Sequence, residues 1–168
     1  MNIPTMKQAM MQSISDVLEQ MFFLPVDAHD PHQRYASIDP VQAPNRLMVA
    51  IDFNGPSSGR FWLTIPLDLA AAMAVDFLGT SSDELSPDHI SATAKELINM
   101  LAGNTLSAYD PESAFDLDCP EIISAAADPT PDSCINLIVE TPENRLTFHL
   151  NIQATGGKSR PANEKQTR

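Results

Sequence analysis

The sequence predicts an α+β domain in which two long helices pack on an antiparallel sheet formed by two similar halves. Three observations support this class. Apolar residues recur at helical spacing in two long segments, 5–23 and 86–109. Each of these segments is followed by a run of short β-branched stretches. Strands that come in runs are typical of an antiparallel sheet, whereas strands that alternate with helices would predict a parallel one.

The first half of the chain is predicted as a helix followed by strands. Thr5 is a candidate N-cap of the helix, and Pro25 ends it. The polar residues of segment 27–33 predict a loop. A shorter helix spans Pro66–Gly79, because proline suits the first turn of a helix and glycine suits its end. Between that loop and this helix, strands are predicted at 34–39, 46–53 and 59–66.

The second half repeats that order. Ser86 is a good N-cap of the second long helix, Pro87 fits its first position, and Asp88 complements the positive end of the helix dipole. The strands that follow are predicted at 115–120, 121–127, 133–141 and 144–153. The last two form a hairpin around Pro142-Glu143. This repeated order indicates one sheet to which both halves contribute.

Length and composition favour one domain. A chain of 168 residues, 43% of them hydrophobic, can bury one sizeable core. We predict a single domain over residues 1–153. Segment 154–168 is polar and basic, so we predict a disordered tail there. Four of the basic residues of the chain lie in this tail, at Lys158, Arg160, Lys165 and Arg168.

Charge and cysteine content limit the classes of function. The net charge of −12 argues against nucleic acid as a partner, because a phosphate-binding surface needs clustered lysine and arginine. No apolar run is long enough to span a bilayer, and we expect neither a secretory signal nor a membrane partner. Cys119 and Cys134 form no CxxC motif and are too few for a metal framework. We therefore expect a cytoplasmic protein with free thiols.

The second long helix carries the most informative pattern. On a wheel at about 100° per residue, Glu96 and Asn99 fall on one face together with the small residues Ala92 and Gly103. Positions i and i+3 are neighbours, so the carboxylate and the carboxamide project together. A face with so few large side chains suits close approach by another protein. The opposite face is predicted as the core stripe, flanked by Ile98 and made of Ile90, Ala94, Leu97, Leu101, Thr105 and Ala108.

Spacing alone leaves a plainer alternative open. Glu96 and Asn99 can be ordinary surface residues, because Glu-x2-Asn is a short pattern that often occurs by chance. Gly103 would then be a weak spot of the helix, which costs roughly 1 kcal/mol relative to alanine.

The segment AKELINMLAGN, residues 94–104, resembles the signature helix of the CheC/CheX/FliY phosphatases. That signature is Glu-x2-Asn followed by a downstream proline, and here Pro120 follows Asn99 after 20 intervening residues. The strand and helix at 59–79 and the segment DVLEQMFFLPV at 16–26 are also similar to CheX-like members. The resemblance implies the CheC/CheX-like form of the α+β fold.

The resemblance covers residues 6–153 and is strongest over 59–120. Two departures from the family pattern are visible. Ala92 stands four residues before the glutamate, where the family often has aspartate or serine. The first helix has Glu19 but carries Phe22 where a second asparagine would stand. The resemblance therefore implies one working site, on the second long helix, as in CheX-type members.

The family hydrolyses the aspartyl phosphate of response-regulator receiver domains such as CheY. The resemblance implies that Asn99 positions the attacking water and that Glu96 pairs with the active-site lysine of the receiver. Ala92 and Gly103 would form the docking face that lets the helix approach. The receiver supplies Mg²⁺, so we expect this chain to bind no cofactor or metal of its own. A homodimer is expected from the CheX-like relatives.

Two other classes of function remain open. The flagellar switch protein FliM shares this fold without the catalytic pair, so an inactive adaptor that binds a signalling partner is the alternative. An acidic interaction module that serves a two-component system outside chemotaxis is a third.

Some remaining residues have competing interpretations. His149 lies in an alternating strand and is predicted at a surface or interface. Trp62 also lies in a strand, and we expect it to pack in the core or at a dimer surface. The predicted loop 27–33 could bind a metal through Asp27, His29, Asp30 and His32. The alternative is an ordinary solvated loop.

Overall fold

The described part of the chain contains three α-helices and seven strands. The computed structural model describes residues 2–29, 45–123, 134–141 and 144–153. Its helices are α1 (Ile3–Phe22), α2 (Leu67–Leu78) and α3 (Pro87–Tyr109), and a short 3-10 turn spans Ser82–Glu84. Its strands are β1 (Asp27–His29), β2 (Arg46–Asn54), β3 (Ser58–Pro66), β4 (Asp116–Leu117), β5 (Glu121–Ile123), β6 (Cys134–Glu140) and β7 (Arg145–Gln153).

The described strands form a sheet in which every pairing is antiparallel. Their order is β1-β6-β7-β3-β2-β4, and β5 pairs with β2 on the same side as β4. Strands from the two halves of the chain interleave, because β6 and β7 lie between β1 and β3. This arrangement confirms the predicted α+β class with helices on an antiparallel sheet formed by both halves.

The helices cover one face of the sheet and enclose the core. Leu18, Leu63, Leu101 and Phe148 are fully buried there and come from α1, β3, α3 and β7. Helix α1 runs antiparallel to α3. The buried hydroxyl of Ser13 donates to the carbonyl oxygen of Leu101 at 3.0 Å. At the far end, the N–H of Asn2 donates to the hydroxyl of Tyr109 at 2.9 Å. Helix α3 is thereby fixed on its inner side and keeps its outer side accessible.

Two boundaries in the first half differ from the sequence prediction. Helix α1 begins at Ile3, so Asn2 rather than Thr5 occupies the N-cap position. Proline is tolerated in the first helical turn, which allows Pro4 to lie inside the helix. The start of the predicted loop 27–33 is instead strand β1, which extends the sheet by pairing with β6.

Other predictions fall partly outside the described residues. The strand predicted at 115–120 is reduced to Asp116–Leu117, and only Glu121–Ile123 of segment 121–127 is described as strand. The strand predicted at 34–39 and the tail 154–168 lie outside the described residues. The division into a domain over 1–153 and a disordered tail therefore stays a prediction. None of the described helices is long and apolar enough to cross a bilayer.

Candidate functional site

Helix α3 has a well-defined start. The backbone N–H of His89 donates to the hydroxyl of Ser86 at 3.2 Å, and the backbone N–H of Ser86 donates to Nδ1 of His89 at 3.3 Å. This reciprocal pair is a capping box in which histidine takes the place of the usual glutamate. Pro87 and the acidic residue Asp88 both lie in the first turn of the helix, as the sequence predicts. The cap fixes where the helix begins and hence which residues face outward.

The outer face of α3 carries the predicted pair. Glu96 and Ala92 are exposed, and Asn99 is half-buried. Leu97 and Leu101 are buried on the inner side, with exposed fractions of 1% and 0%. The carboxylate and the carboxamide therefore lie on one accessible face of a helix whose other face is held in the core.

The inner side of α3 differs in part from the predicted stripe. Ala108 is exposed, and Ile90 is only half-buried. The other four residues of the stripe are buried as predicted, as is the flanking Ile98, and the buried set also includes Ala102 and Leu106. The reason is that α3 packs against α1, α2 and β2 at once, so its buried arc is wider than a single stripe.

Gly103 does not lie open beside Glu96. It is half-buried, and a Cβ atom built on it would lie 3.7 Å from Cδ1 of Leu117. That distance is an ordinary van der Waals contact. Strand β4 contacts this end of the helix, so Gly103 is less open than Ala92, and its place in the docking face stays a prediction. Ala92 remains open.

Strands β4 and β5 form a broken edge along β2, next to α3. Leu117 pairs with Phe53 of β2, and Ile122 pairs with Val49. Between them the backbone N–H of Asp118 donates to the carbonyl oxygen of Asp52 at 2.9 Å. Proline has no N–H to donate, so the edge is interrupted at Pro120 before β5 begins. The segment around Pro120 is therefore held at both of its ends by strands that pair with β2.

The break at Pro120 lies next to the helix that carries Asn99. One end of β2 lies at Phe53, where Leu117 meets Gly103 of α3. Toward the other end, Leu47 pairs with Ile65, which lies near Leu97 of α3. Strands β4 and β5 both lie against α3, so the break between them is beside this helix.

The other face of the sheet anchors this edge. Arg60 on β3 donates from Nε and Nη2 to the two carboxylate oxygens of Asp52, both at 2.5 Å. Its Nη2 also lies 3.1 Å from Oε1 of Glu121. The hydrogen bond to Asp52 and the negative charge of both carboxylates raise the pKa of Arg60. The guanidinium therefore links β2, β3 and β5.

Three solved structures resemble the whole described fold. CheX from Desulfovibrio desulfuricans superimposes with a TM-score of 0.67 at 16% identity, covering 88% of this chain and 99% of that chain. A chain of the CheX-CheY-BeF3-Mg²⁺ complex from Borrelia burgdorferi gives 0.64 at 16% identity, covering 88% and 97%. The FliM middle domain from Vibrio alginolyticus gives 0.55 at 12% identity, covering 89% and 91%. At these identities the likeness shows a shared fold.

The sequence itself decides the family. Residues 47–132 match the family described as "Chemotaxis phosphatase CheX". The chain belongs to the CheX family. No curated protein sequence matches it. The matched residues contain α3, β4 and β5, so they include the face that carries Glu96 and Asn99 and the break at Pro120.

In this CheX-family chain, α1 offers no second pair. Glu19 is exposed, but Phe22 is 2% exposed and stacks on Phe77 of α2, with ring centroids 5.4 Å apart. Phe22 is thus a core residue that joins α1 to α2. The structure gives a packing reason for the aromatic residue at the position where an asparagine would be needed.

The other residues singled out in the sequence have structural roles. Nδ1 of His149 lies 2.6 Å from Oδ1 of Asn136, and its Nε2 lies 2.9 Å from the hydroxyl of Thr147. Burial lowers the pKa of His149 to about 4. Trp62, which pairs with His149, is half-buried. His149 therefore belongs to a polar network on the sheet face opposite the helices.

The candidate metal site of segment 27–33 lies partly outside the described residues, so it stays a prediction. Asp27 and the backbone of His29 are part of β1, whereas Asp30 and His32 lie outside the described residues. Within the described part of the chain, no group of three or more His, Cys, Asp and Glu residues is arranged to hold a metal ion.

Proposed function

We propose that this chain is a phosphatase that hydrolyses the aspartyl phosphate of a CheY-like receiver domain. The observation that carries the proposal is the placement of Glu96 and Asn99 on the accessible face of α3, one helical turn apart. Membership of the CheX family supports the reaction class. The complex of CheX with CheY, BeF3 and Mg²⁺ from Borrelia burgdorferi, a protein of the same fold, supports the class of partner.

Asn99 is the proposed water-positioning residue. Hydrolysis of an aspartyl phosphate needs a water in line with the leaving carboxylate, and the transition state is loose, so positioning contributes much of the acceleration. A carboxamide has both a donor and an acceptor, so it can orient a water without changing its own charge. Asn99 is half-buried on the outer face of α3, so part of it stays accessible to a partner.

Glu96 is the proposed docking residue. Its carboxylate is exposed, so no partner within the described chain neutralises it. A receiver presents a lysine beside its phosphoaspartate, and a charge pair across the contact would fix the register of α3 in that pocket. Mg²⁺ would be held by the receiver and would neutralise the phosphoryl oxygens. In this proposal the chain contributes no metal ligand.

The same proposal covers the setting of the reaction. Receiver domains are cytoplasmic signalling modules, so we place the chain in the cytoplasm as part of a two-component pathway. A homodimer is the assembly proposed for it, and sedimentation velocity of the full chain tests that point separately from catalysis.

An inactive adaptor is the second candidate. The FliM middle domain resembles this fold, and a fold of this kind can therefore serve binding alone. The presence of Glu96 and Asn99 on an open face favours catalysis. An adaptor would bind a receiver and leave its phosphate lifetime unchanged.

A decay assay distinguishes the two candidates. Each receiver of the host is phosphorylated with a small-molecule phosphodonor, and loss of phosphate is followed with and without the full chain. We expect one receiver to lose phosphate at least tenfold faster with the wild-type chain. We expect no acceleration with the double variant Glu96→Ala, Asn99→Ala. If the wild-type chain accelerates the decay of no receiver, the enzyme proposal is wrong, and if the double variant accelerates decay as much as wild type, the assignment of the site to Glu96 and Asn99 is wrong.

A further inference from the structure

Ile122 is an apolar side chain that the core does not use. It lies in the middle of the short edge strand β5 and is 40% exposed. Its partner in the sheet is Val49, which is 0% exposed. Antiparallel partners point to the same face of a sheet, so Ile122 points to the face that the helices cover. It lies at the rim of the helix layer and beyond the core.

Ile122 lies on the strand next to the candidate catalytic helix. Strand β5 lies against α3, which carries Glu96 and Asn99 on its outer face. Ile122 pairs with Val49, in the middle of β2. The exposed isoleucine therefore lies on the strand that neighbours the helix with the candidate pair.

The position of Ile122 is fixed before any partner arrives. The residue before it, Glu121, contacts the guanidinium of Arg60, which also binds Asp52. Pro120 restricts the backbone on the same side. A side chain held on a paired strand loses little entropy when it is covered by a partner. An exposed β-branched residue on a fixed edge is the kind of residue that contributes to an interface.

We propose that Ile122 is a docking residue that contacts an apolar side chain on the rim of the receiver's phosphoaspartate pocket. This inference rests on the proposed function, because it takes the receiver as the occupant of the α3 face. Because β5 lies against α3, a receiver that covers Glu96 and Asn99 would also cover this neighbouring strand. Ile122 would act on affinity and on the choice of receiver, whereas Asn99 would act on turnover.

The experiment uses the full chain with the receiver that gives the fastest decay. Ile122→Asn removes the apolar contact and adds no charge, and Ile122→Val keeps a β-branched apolar side chain. Ile3→Asn is the matched control, since Ile3 is 59% exposed and lies at the start of α1. Affinity is measured with the receiver activated by beryllium fluoride and Mg²⁺, and kcat and KM are measured with the phosphorylated receiver. Thermal unfolding of each variant checks that it is folded.

We expect Ile122→Asn to weaken binding and to raise KM by about tenfold, the effect of losing one buried apolar contact, with kcat within about twofold of wild type. Ile122→Val and Ile3→Asn should bind like wild type. If Ile122→Asn binds like wild type, the inference is overturned. If Asn99→Ala lowers kcat in the same experiment, the phosphatase proposal still stands. Weakened binding of Ile122→Asn, together with a wild-type chain that binds the activated receiver but does not accelerate its phosphate decay, supports the inference and overturns the phosphatase proposal. Failure of the wild type to bind any activated receiver overturns both.

Discussion

Leu117 lies against Gly103, so strand β4 packs on the last turns of α3. A Cβ atom on Gly103 would meet Cδ1 of Leu117 at 3.7 Å and would meet no other atom within 4 Å outside the local helix backbone and chain neighbours. This contact divides the predicted docking face. Its N-terminal part, with Ala92 and Glu96, is exposed, and its C-terminal part, at Gly103, is half-buried.

We expect Gly103→Ala to stabilise the protein by about 1 kcal/mol, because alanine restricts the unfolded chain and the added methyl group makes an ordinary contact. Thermal unfolding should show a midpoint higher by about 2–4 °C. Affinity for the activated receiver should stay within about twofold of wild type. Ala92→Gln is the comparison, since the larger side chain lies on the open part and should weaken binding by about tenfold. Equal losses of affinity in both variants would contradict the division of the face.

The two glutamates at equivalent places in the long helices should behave differently. Glu19→Ala should leave the decay of receiver phosphate at the wild-type rate, because the residue three positions on, Phe22, is buried against Phe77. Glu96→Ala should lower kcat/KM by at least tenfold through weaker docking. Both residues are exposed, so neither change should alter stability by more than about 0.5 kcal/mol. If Glu19→Ala lost as much activity as Glu96→Ala, the assignment of the site to α3 would be wrong.

The sequence predicts α3 well because its signals are local. Ser86, Pro87 and Asp88 define the start of the helix, and the 3.6-residue period places Glu96 and Asn99 together outside. The contact between Gly103 and Leu117 depends on β4, a strand formed by a later part of the chain. No periodicity within α3 shows which strand will pack on it. A tertiary contact therefore decided what the helical wheel could not.

The break at Pro120 shows the same limit. The sequence predicts strands on both sides of the proline, and the structure places both on β2. Both short strands pair with β2. The residues of β4 and β5 do not show this in advance, because the choice of partner depends on where β2 lies in the sheet. Strand β1 was likewise missed, because Asp27, Ala28 and His29 are polar or small and acquire strand structure through β6.

His149 should make stability depend on pH. Its pKa in the folded state is lowered to about 4 by burial, and an unfolded histidine titrates near 6.5. The unfolded state binds the proton first, so this contribution is complete above about pH 6.5 and is lost as the pH falls through about 4. The loss is up to about 3 kcal/mol. Denaturant unfolding at several pH values should show a shallower decline for His149→Gln. Parallel declines for the two proteins would show that other groups cause the dependence.

Phe23 has a strained backbone conformation, and its exposed ring adds little packing that would offset the strain. Its φ is +52°, in the left-handed region that glycine adopts most easily, and its side chain is 83% exposed. We expect Phe23→Gly to raise the free energy of unfolding by about 1 kcal/mol. Gly79 ends α2 in the same conformation with φ +60°, and a Cβ there would meet no atom within 4 Å. Gly79→Ala should therefore lower stability by about the same amount. Destabilisation by Phe23→Gly would show that the aromatic ring contributes to packing.

The central claim is that Asn99 acts in the transition state and contributes little to binding. Asn99→Ala removes the group that orients the water and leaves Glu96, Ala92 and Ile122 in place. The most direct measurement compares kcat for the phosphorylated receiver with the dissociation constant for the same receiver bound to beryllium fluoride and Mg²⁺. We predict that kcat falls by about 100-fold or more while the dissociation constant changes by less than about threefold. A wild-type kcat in Asn99→Ala, or a loss of rate explained wholly by weaker binding, would contradict the account.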